Sequence, residues 1–196
     1  MREGRIARKT RETDVQVRWN LDQARPPKVA SGSGFLDHML ELFAFWGFFD
    51  LEISAKGDMK VDIHHTNEDI GLVLGQAFKN ALGDKKGIKR IGFASVPMEE
   101  VTAQVTVDIN GRGFFDFKGE QKLNKQEGYE IEYAKHFLDA FSKQLGMNLN
   151  IRIDNAVLDL HATLEPVFKA LGIALAQAAL IDPRRKGVPS TKGVID

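Results

Sequence analysis

The sequence predicts an α+β fold made of an internally duplicated half-domain, in which two sheets pack on helices. Strand-like alternation and helix-like spacing of apolar residues occur twice along the chain in the same order. The segment DIHHTNE at 62–68 also matches DLHATLE at 159–165, and His38 matches His136 at nearly the same offset. Matching Asp, His, Thr and Glu in one short register is rare between unrelated amphipathic helices. We therefore interpret each half as one β-β-α-β-α unit.

Apolar periodicity places the elements of each unit. In the first half it predicts strands at 15–21, 51–55 and 61–63, the last two joined as a hairpin at Gly57–Asp58, and helices at 35–46 and 64–82. In the second half it predicts strands at 101–109, 114–118 and 149–153, with 114–118 returning after an Asn110–Gly111 turn, and helices at 131–145 and 159–179. No flexible linker separates the halves. We expect one domain over 1–196, with repeats of about 1–90 and 91–182 and a C-terminal tail at 183–196.

The amino-acid composition argues against several classes of function for this chain. Lys+Arg and Asp+Glu both number 27, so the chain lacks the basic excess of proteins that grip nucleic acid or anionic membranes. There is no cysteine, which excludes disulfides, thiolate metal sites and cysteine nucleophiles. No apolar run reaches the length of a bilayer span, and Met1–Arg5 leads into no signal-like apolar core. We expect a cytoplasmic protein that binds neither nucleic acid nor membranes.

The five histidines carry the clearest chemical signal, because all of them fall in predicted helices of the duplicated unit. His64 and Glu68 lie four residues apart, and His161 and Glu165 repeat that pair. Imidazole with carboxylate and no sulfur suits Mn, Fe, Zn or Ni. One isolated pair would more often be a surface ion pair, and the duplication makes a metal site an equally good interpretation. The pattern gives His136 no role beyond that of a surface or core histidine.

A second set of residues suits an anionic ligand. Arg90 and Arg112 lie beside glycines, and the tail carries Ser190 and Lys192. Guanidinium groups bind phosphate bidentately, while Lys supplies a point charge and Ser a short hydroxyl donor. Solvated basic loops and a disordered tail are the alternative interpretation.

The motifs taken together resemble the imidazoleglycerol-phosphate dehydratase family of histidine biosynthesis. The resemblance covers nearly the whole chain and is carried by RKTRETD (8–14), GFLDHML (34–40), DIHHTNED (62–69), ALGDK (81–85), NGR (110–112), EPVFKA (165–170) and PSTKG (189–193). It implies a fold similar to that of the second domain of ribosomal protein S5. It also implies a homo-oligomer built from trimers, a 24-mer, with active sites between subunits.

The resemblance further implies a metal-dependent hydro-lyase that removes water from imidazole glycerol phosphate and gives imidazole acetol phosphate. The cofactor would be Mn²⁺ or another divalent transition metal, with one or two ions per subunit. Metal ligands would be His38, His64, His65, Glu68, His161 and Glu165. The small-molecule phosphate substrate would contact Arg90, Arg112, Ser190, Lys192 and Glu12. The catalytic residues would be Glu12, His65, Glu68 and Glu165.

Three positions depart from the family pattern as we align it, because Trp46, Asn150 and Ala162 stand where we expect histidines. The departures leave a second hypothesis open. In that hypothesis the chain is a diverged homologue with a partly lost metal centre, which binds a phosphate ligand or has a structural role without this activity.

Overall fold

A computed structural model describes residues 1–119 and 128–195, which form eight strands and four helices. The first half contains β1 (Glu3–Lys9), β2 (Thr13–Asn20), β3 (Lys28–Ala30), α1 (Gly34–Trp46), β4 (Asp50–Gly57) and α2 (His64–Leu82). The second half contains β5 (Ile91–Met98), β6 (Val101–Asp108), β7 (Phe114–Lys118), α3 (Ile131–Leu145), β8 (Asn148–Asp154) and α4 (Leu160–Ala179). Residues 120–127 of the predicted second repeat and Asp196 of the predicted tail lie outside the described residues.

The two halves have the same topology, which confirms the predicted α+β class and the duplication. The first sheet has the strand order β1-β2-β4-β3 and the second has β5-β6-β8-β7. In each sheet the first three strands in that order are antiparallel, and the last strand pairs parallel to its neighbour. Each unit therefore reads β-β-β-α-β-α, with one strand more than the sequence pattern predicted.

Two glycines show how closely the halves correspond. A Cβ placed on Gly4 of β1 would lie 1.9 Å from the carbonyl oxygen of Ala77, and a Cβ on Gly92 of β5 would lie 1.9 Å from that of Ala174. Neither position has room for a side chain, so each edge strand meets its helix at backbone distance. The same close approach of strand and helix occurs in both halves, as an internal duplication predicts.

The helices join the two sheets around one core. Helix α2 packs on the first sheet and α4 on the second, while α2 also packs against α3 and α1 against α4. Trp19 of β2 is fully buried and meets Phe43, Phe49 and Phe78 edge-on, with ring centroids 4.6–5.5 Å apart. Phe141 of α3 stacks on the same indole at 6.3 Å. The aromatic core therefore joins residues of both halves.

The structure corrects three parts of the sequence prediction. Residues 61–63 form no strand. The Val61 N–H closes a turn on the Asp58 carbonyl, and the Asp62 carboxylate accepts the His64 backbone N–H at 2.7 Å in a second turn directly before α2. The strand at 114–118 exists but pairs with β8 in parallel instead of returning against β6. The sequence pattern also missed β1, β3 and β5, whose mixed or largely exposed residues show no clear alternation of apolar side chains.

Within the described residues, none of the helices combines the length and the apolar character that crossing a lipid bilayer requires.

Candidate metal centre

Two helices bring three potential metal ligands together. His38 lies in the first turns of α1, and His161 and Glu165 lie in the first turns of α4. Glu165 Oε2 is 2.9 Å from His161 Nε2 and 3.5 Å from His38 Nε2, and the two imidazole centroids are 5.0 Å apart. In the described part of the chain, this is the one group of three His, Cys, Asp or Glu residues whose ligand atoms all lie within 4.8 Å of one another. We call it the α1/α4 group.

Local sequence explains why these side chains point to one place. Ser33 caps α1 by accepting the Leu36 N–H, and Asp159 caps α4 by accepting the Ala162 N–H at 3.0 Å. Both caps fix where the first turn begins. His161 and Glu165, four residues apart, then lie on the same side of α4.

The Glu165 carboxylate divides its two oxygens between different partners. Oε1 lies 2.5 Å from Lys169 Nζ, and Oε2 faces the two imidazoles. Partial burial alone would raise the pKa of Glu165, but the bonds from Lys169 and His161 outweigh it and lower the pKa. The carboxylate is therefore ionised and keeps one oxygen directed at the histidines. Trp46 lies behind Lys169, whose ammonium is 5.9 Å from the ring centroid.

A second group of three residues occupies the place that the internal repeat relates to the first group, and it too takes residues from both halves. His136 of α3 lies against His64 of α2, with ring centroids 4.9 Å apart, and His64 Nε2 is 4.0 Å from Glu68 Oε2. These three correspond to His38, His161 and Glu165 through the same internal repeat. We call them the α2/α3 group. The alignment of His38 with His136 in the internal repeat was the sequence signal for this position.

His65 belongs to neither group. Its Nδ1 is 3.0 Å from Asp58 Oδ2 and 3.9 Å from Glu12 Oε2, and the bond with Asp58 raises the pKa of His65. Its ring turns 88° away from that of His64. Within one chain, the six predicted metal ligands therefore do not meet at a single place. Three of them form the α1/α4 group, and His64 and Glu68 join His136 in the α2/α3 group. The sixth, His65, lies near Glu12.

The donors in the α1/α4 group fit a divalent transition metal. Two neutral imidazoles and one carboxylate are the ligands that Mn, Fe, Zn and Ni accept, and catalytic sites commonly use three protein ligands with an open position. Ala162, adjacent to His161, offers no ligand atom. Asn150 lies exposed on the face of β8 opposite the buried residues that meet the helices. Neither residue is needed to complete either group of three.

Of the residues predicted to bind phosphate, Arg90 lies next to the segment that carries Ser190. The Arg90 guanidinium binds both oxygens of Asp108 at 2.6 and 3.0 Å and donates from Nη1 to the Pro189 carbonyl at 2.9 Å, directly before Ser190. The hydrogen bonds that Arg90 donates to Asp108 raise the pKa of Arg90. Arg112 and Lys192 are exposed, on the loop after β6 and in the tail.

The fold and the ligand groups define a class of protein. It is a duplicated α+β protein with two four-stranded sheets, in which paired helix starts present imidazole and carboxylate groups suited to a transition metal.

Comparison with known proteins narrows that class to one family. A sequence model of the imidazoleglycerol-phosphate dehydratase family matches residues 31–175. The chain is 50% identical to the imidazoleglycerol-phosphate dehydratase of Geobacillus kaustophilus over 99% of both chains, and 47% identical to that of Methanocella arvoryzae over 100% of both. The chain belongs to the imidazoleglycerol-phosphate dehydratase family.

Solved structures agree with this assignment. The imidazoleglycerol-phosphate dehydratase of Staphylococcus aureus superposes with a TM-score of 0.82 and 31% identity, covering 92% of this chain and 99% of the other. That of Pyrococcus furiosus gives 0.82 and 32%, covering 96% and 99%. The solved structures of these two proteins therefore confirm the predicted fold class, as the strand topology does.

Proposed function

We propose that the chain is a hydro-lyase that converts imidazole glycerol phosphate to imidazole acetol phosphate in histidine biosynthesis. The observation that carries the proposal is the α1/α4 group, in which three ligand atoms meet in a chain whose family is defined by this reaction. The α2/α3 group supports it, because the duplication supplies a second set of the same ligand types.

The α1/α4 and α2/α3 groups would hold the metal, for which Mn²⁺ is our proposal among the divalent transition metals. A bound metal ion supplies a Lewis acid that withdraws charge from the substrate's imidazole ring. Glu165 and Glu68 contribute the negative charge of each group, and Lys169 keeps one Glu165 oxygen occupied so that the other faces the histidines. We propose two ions per subunit, one for each group.

Residues outside the two groups would bind the substrate and move its protons. Arg90, Arg112, Ser190 and Lys192 would hold the phosphate, so that binding energy from the phosphate aligns the reacting carbons. Glu12 is exposed and lies near His65. We propose that its carboxylate accepts the proton from a substrate carbon. His65 beside it, whose pKa is raised by Asp58, would donate a proton to the substrate hydroxyl, which leaves as water.

The proposed sites require neighbouring subunits. Each group offers three protein donors, and His65 with Glu12 lies outside both, so a partner chain's copy of these residues would complete the coordination and the catalytic set. Phe45 and Phe48, at the end of α1, are 66% and 73% exposed, which suits burial against another subunit. We propose the trimer-based 24-mer of the family, and the cytoplasm remains the predicted location.

Metal content and turnover, measured on the same preparation, test the proposal. The protein purified without chelators should contain close to two transition-metal ions per subunit by elemental analysis and should dehydrate imidazole glycerol phosphate. Removing the metal with a chelator should abolish turnover, and adding Mn²⁺ should restore it. A protein without bound metal and without turnover would support the second hypothesis, a diverged homologue that keeps only the fold and a phosphate pocket.

A further inference from the structure

An ion pair connects the end of β6 to the residue that precedes β5. Asp108 Oδ1 accepts from Arg90 Nε at 2.6 Å, and Asp108 Oδ2 accepts from Arg90 Nη2 at 3.0 Å. The two side chains are 29% and 23% exposed, so the pair is partly shielded from solvent. A bidentate pair of this kind fixes the plane of the guanidinium as well as its position.

The backbone of Arg90 is fixed as firmly as its side chain. Arg90 has a φ of 74°, a region that residues other than glycine seldom occupy. Its N–H donates to the Ala178 carbonyl at 2.8 Å, and its carbonyl accepts the Ile109 N–H at 3.0 Å. These contacts hold Arg90 in the left-handed conformation, from which its side chain reaches Asp108.

The same guanidinium holds the C-terminal segment. Arg90 Nη1 donates to the carbonyl of the buried Pro189 at 2.9 Å. Beyond that point the segment closes on itself, because Ser190 Oγ accepts the Lys192 N–H at 3.2 Å and the Ser190 carbonyl accepts the Gly193 N–H at 3.0 Å. A second bond, from the Gly87 N–H to the Gly187 carbonyl at 3.1 Å, holds the start of the segment, and the contact at Pro189 is the one nearest to Ser190 and Lys192.

Arg90 keeps donors free for a ligand while it makes these contacts. A guanidinium has five N–H donors. Asp108 uses the Nε donor and one on Nη2, and Pro189 uses one on Nη1. One donor on each terminal nitrogen remains for an anion next to Ser190.

The first half of the chain contains a similar arginine–aspartate pair without the connection to the tail. Arg2 precedes β1 as Arg90 precedes β5, and its carbonyl likewise accepts a backbone N–H, from Leu21 at 3.0 Å. The Arg2 guanidinium binds Asp22 at 2.8 Å, and its Nη1 donates to the Ala179 carbonyl at 2.6 Å. The two pairs have similar exposure. The two aspartates are not equivalent positions of the repeat, because the matching backbone bonds to Arg2 and Arg90 align Asp108 with Asn20. The pairs are alike in type and exposure, and of the two arginines only Arg90 holds Pro189.

We infer that Asp108 is a positioning residue for phosphate binding. It orients Arg90, and Arg90 in turn places Ser190 and Lys192 around the same anion. The inference has two parts: Asp108 orders the C-terminal segment through Arg90, and the ordered segment binds phosphate. Only the second part rests on the proposed function. Asp108 itself carries a negative charge and does not touch the phosphate.

Asp108→Asn tests the inference, with Asp22→Asn as the matched control in the full-length protein. Hydrogen–deuterium exchange of residues 187–195 is measured first, without ligand. We expect faster exchange in this segment for Asp108→Asn, and wild-type exchange there for Asp22→Asn. Equal exchange of the segment in the wild type and in Asp108→Asn would overturn the inference.

Kinetics test the second part. For Asp108→Asn we expect KM for imidazole glycerol phosphate, and the inhibition constant of inorganic phosphate, to rise about tenfold, as expected for a lost charge-assisted contact. We expect kcat within about twofold of the wild type, because the metal ligands are untouched. If Asp22→Asn raises KM as much as Asp108→Asn does, the effect is general destabilisation and the inference is refuted.

The two measurements separate this inference from the proposed function. A wild-type protein that neither turns over imidazole glycerol phosphate nor is affected by phosphate would refute the proposed function and the phosphate part of the inference. The exchange of residues 187–195 would still decide whether Asp108 holds the tail.

Discussion

Glu165→Gln should weaken both the fold and the binding of metal, by separate effects. The substitution keeps the shape of the side chain but removes the charge that faces His38 and His161. It also leaves Lys169, which is 18% exposed, with a neutral partner in place of a carboxylate at 2.5 Å. The metal-free variant should therefore lose about 1–3 kcal/mol of unfolding free energy, the usual cost of a lost hydrogen bond between charged groups.

The effect on the metal-bound protein can be worked out separately. A ligand at about 100 times its Kd stabilises the folded state by about 2.7 kcal/mol. If the loss of the carboxylate raises Kd about 100-fold, the same concentration contributes only about 0.4 kcal/mol. The difference of about 2.3 kcal/mol corresponds to a Tm change of roughly 5–9 °C in a chain of this size.

Thermal unfolding with and without added Mn²⁺ measures both effects. The protein is first treated with a chelator and dialysed, and Tm is then recorded across a Mn²⁺ titration. Lys169→Met is the control, because it removes the same ion pair while leaving the carboxylate available. It should lower the metal-free Tm but keep the response to Mn²⁺. A Glu165→Gln variant whose Tm rises with Mn²⁺ as much as that of the wild type would refute the role of Glu165 as a ligand.

Three further outcomes are expected. Glu68→Gln should lower the metal content and loosen the assembly, measured by elemental analysis and analytical ultracentrifugation; unchanged values for both would contradict the ligand assignment. Arg112→Ala should raise KM for imidazole glycerol phosphate about 10–100-fold, the range for a lost charge-assisted contact, and unaltered KM would remove Arg112 from the phosphate site. The hydrogen bonds from Arg18 hold the pKa of Asp50 below its ordinary value. The ion pair therefore stabilises the protein fully above the unfolded-state pKa of about 4. This stabilisation is lost as the pH falls through the lower folded-state pKa. Urea unfolding should therefore show Asp50→Asn less stable than the wild type at pH 7, with the difference shrinking below about pH 4; a constant difference would argue against the ion pair.

Local sequence was sufficient for the helices. The predicted helices at 64–82 and 131–145 coincide with α2 and α3, and the other two agree within one residue. A helix satisfies its hydrogen bonds within one segment, so apolar spacing and terminal residues carry most of the information that defines it. The internal repeat was visible for the same reason, because its matching residues lie at helix starts.

Strand pairing was less accessible from the sequence. The strand at 114–118 was predicted correctly, yet its partner is β8 and not the preceding β6. A strand bonds with a neighbour that can be distant in sequence, so alternation shows that a strand exists but not what it pairs with. Edge strands such as β1, whose outer residues are polar or exposed, give even weaker alternation.

The candidate site shows the same division. Residue type and spacing identified the pair of His161 and Glu165, and the family resemblance added His38. The structure brings the three within ligand distance. The sequence pattern assigned no role to His136, which meets His64 only because α2 packs against α3. It described Arg90 as a phosphate contact and did not indicate that Asp108 and the tail share the same guanidinium.

The sequence by itself determined the duplication, the helices, and the residue types available for chemistry, since these depend on order and spacing along one segment. Only the tertiary structure decided which of those residues meet. Contacts between α1 and α4, between α2 and α3, and between Arg90 and Pro189 join positions far apart in the chain, and their geometry is set by the packing of the whole core.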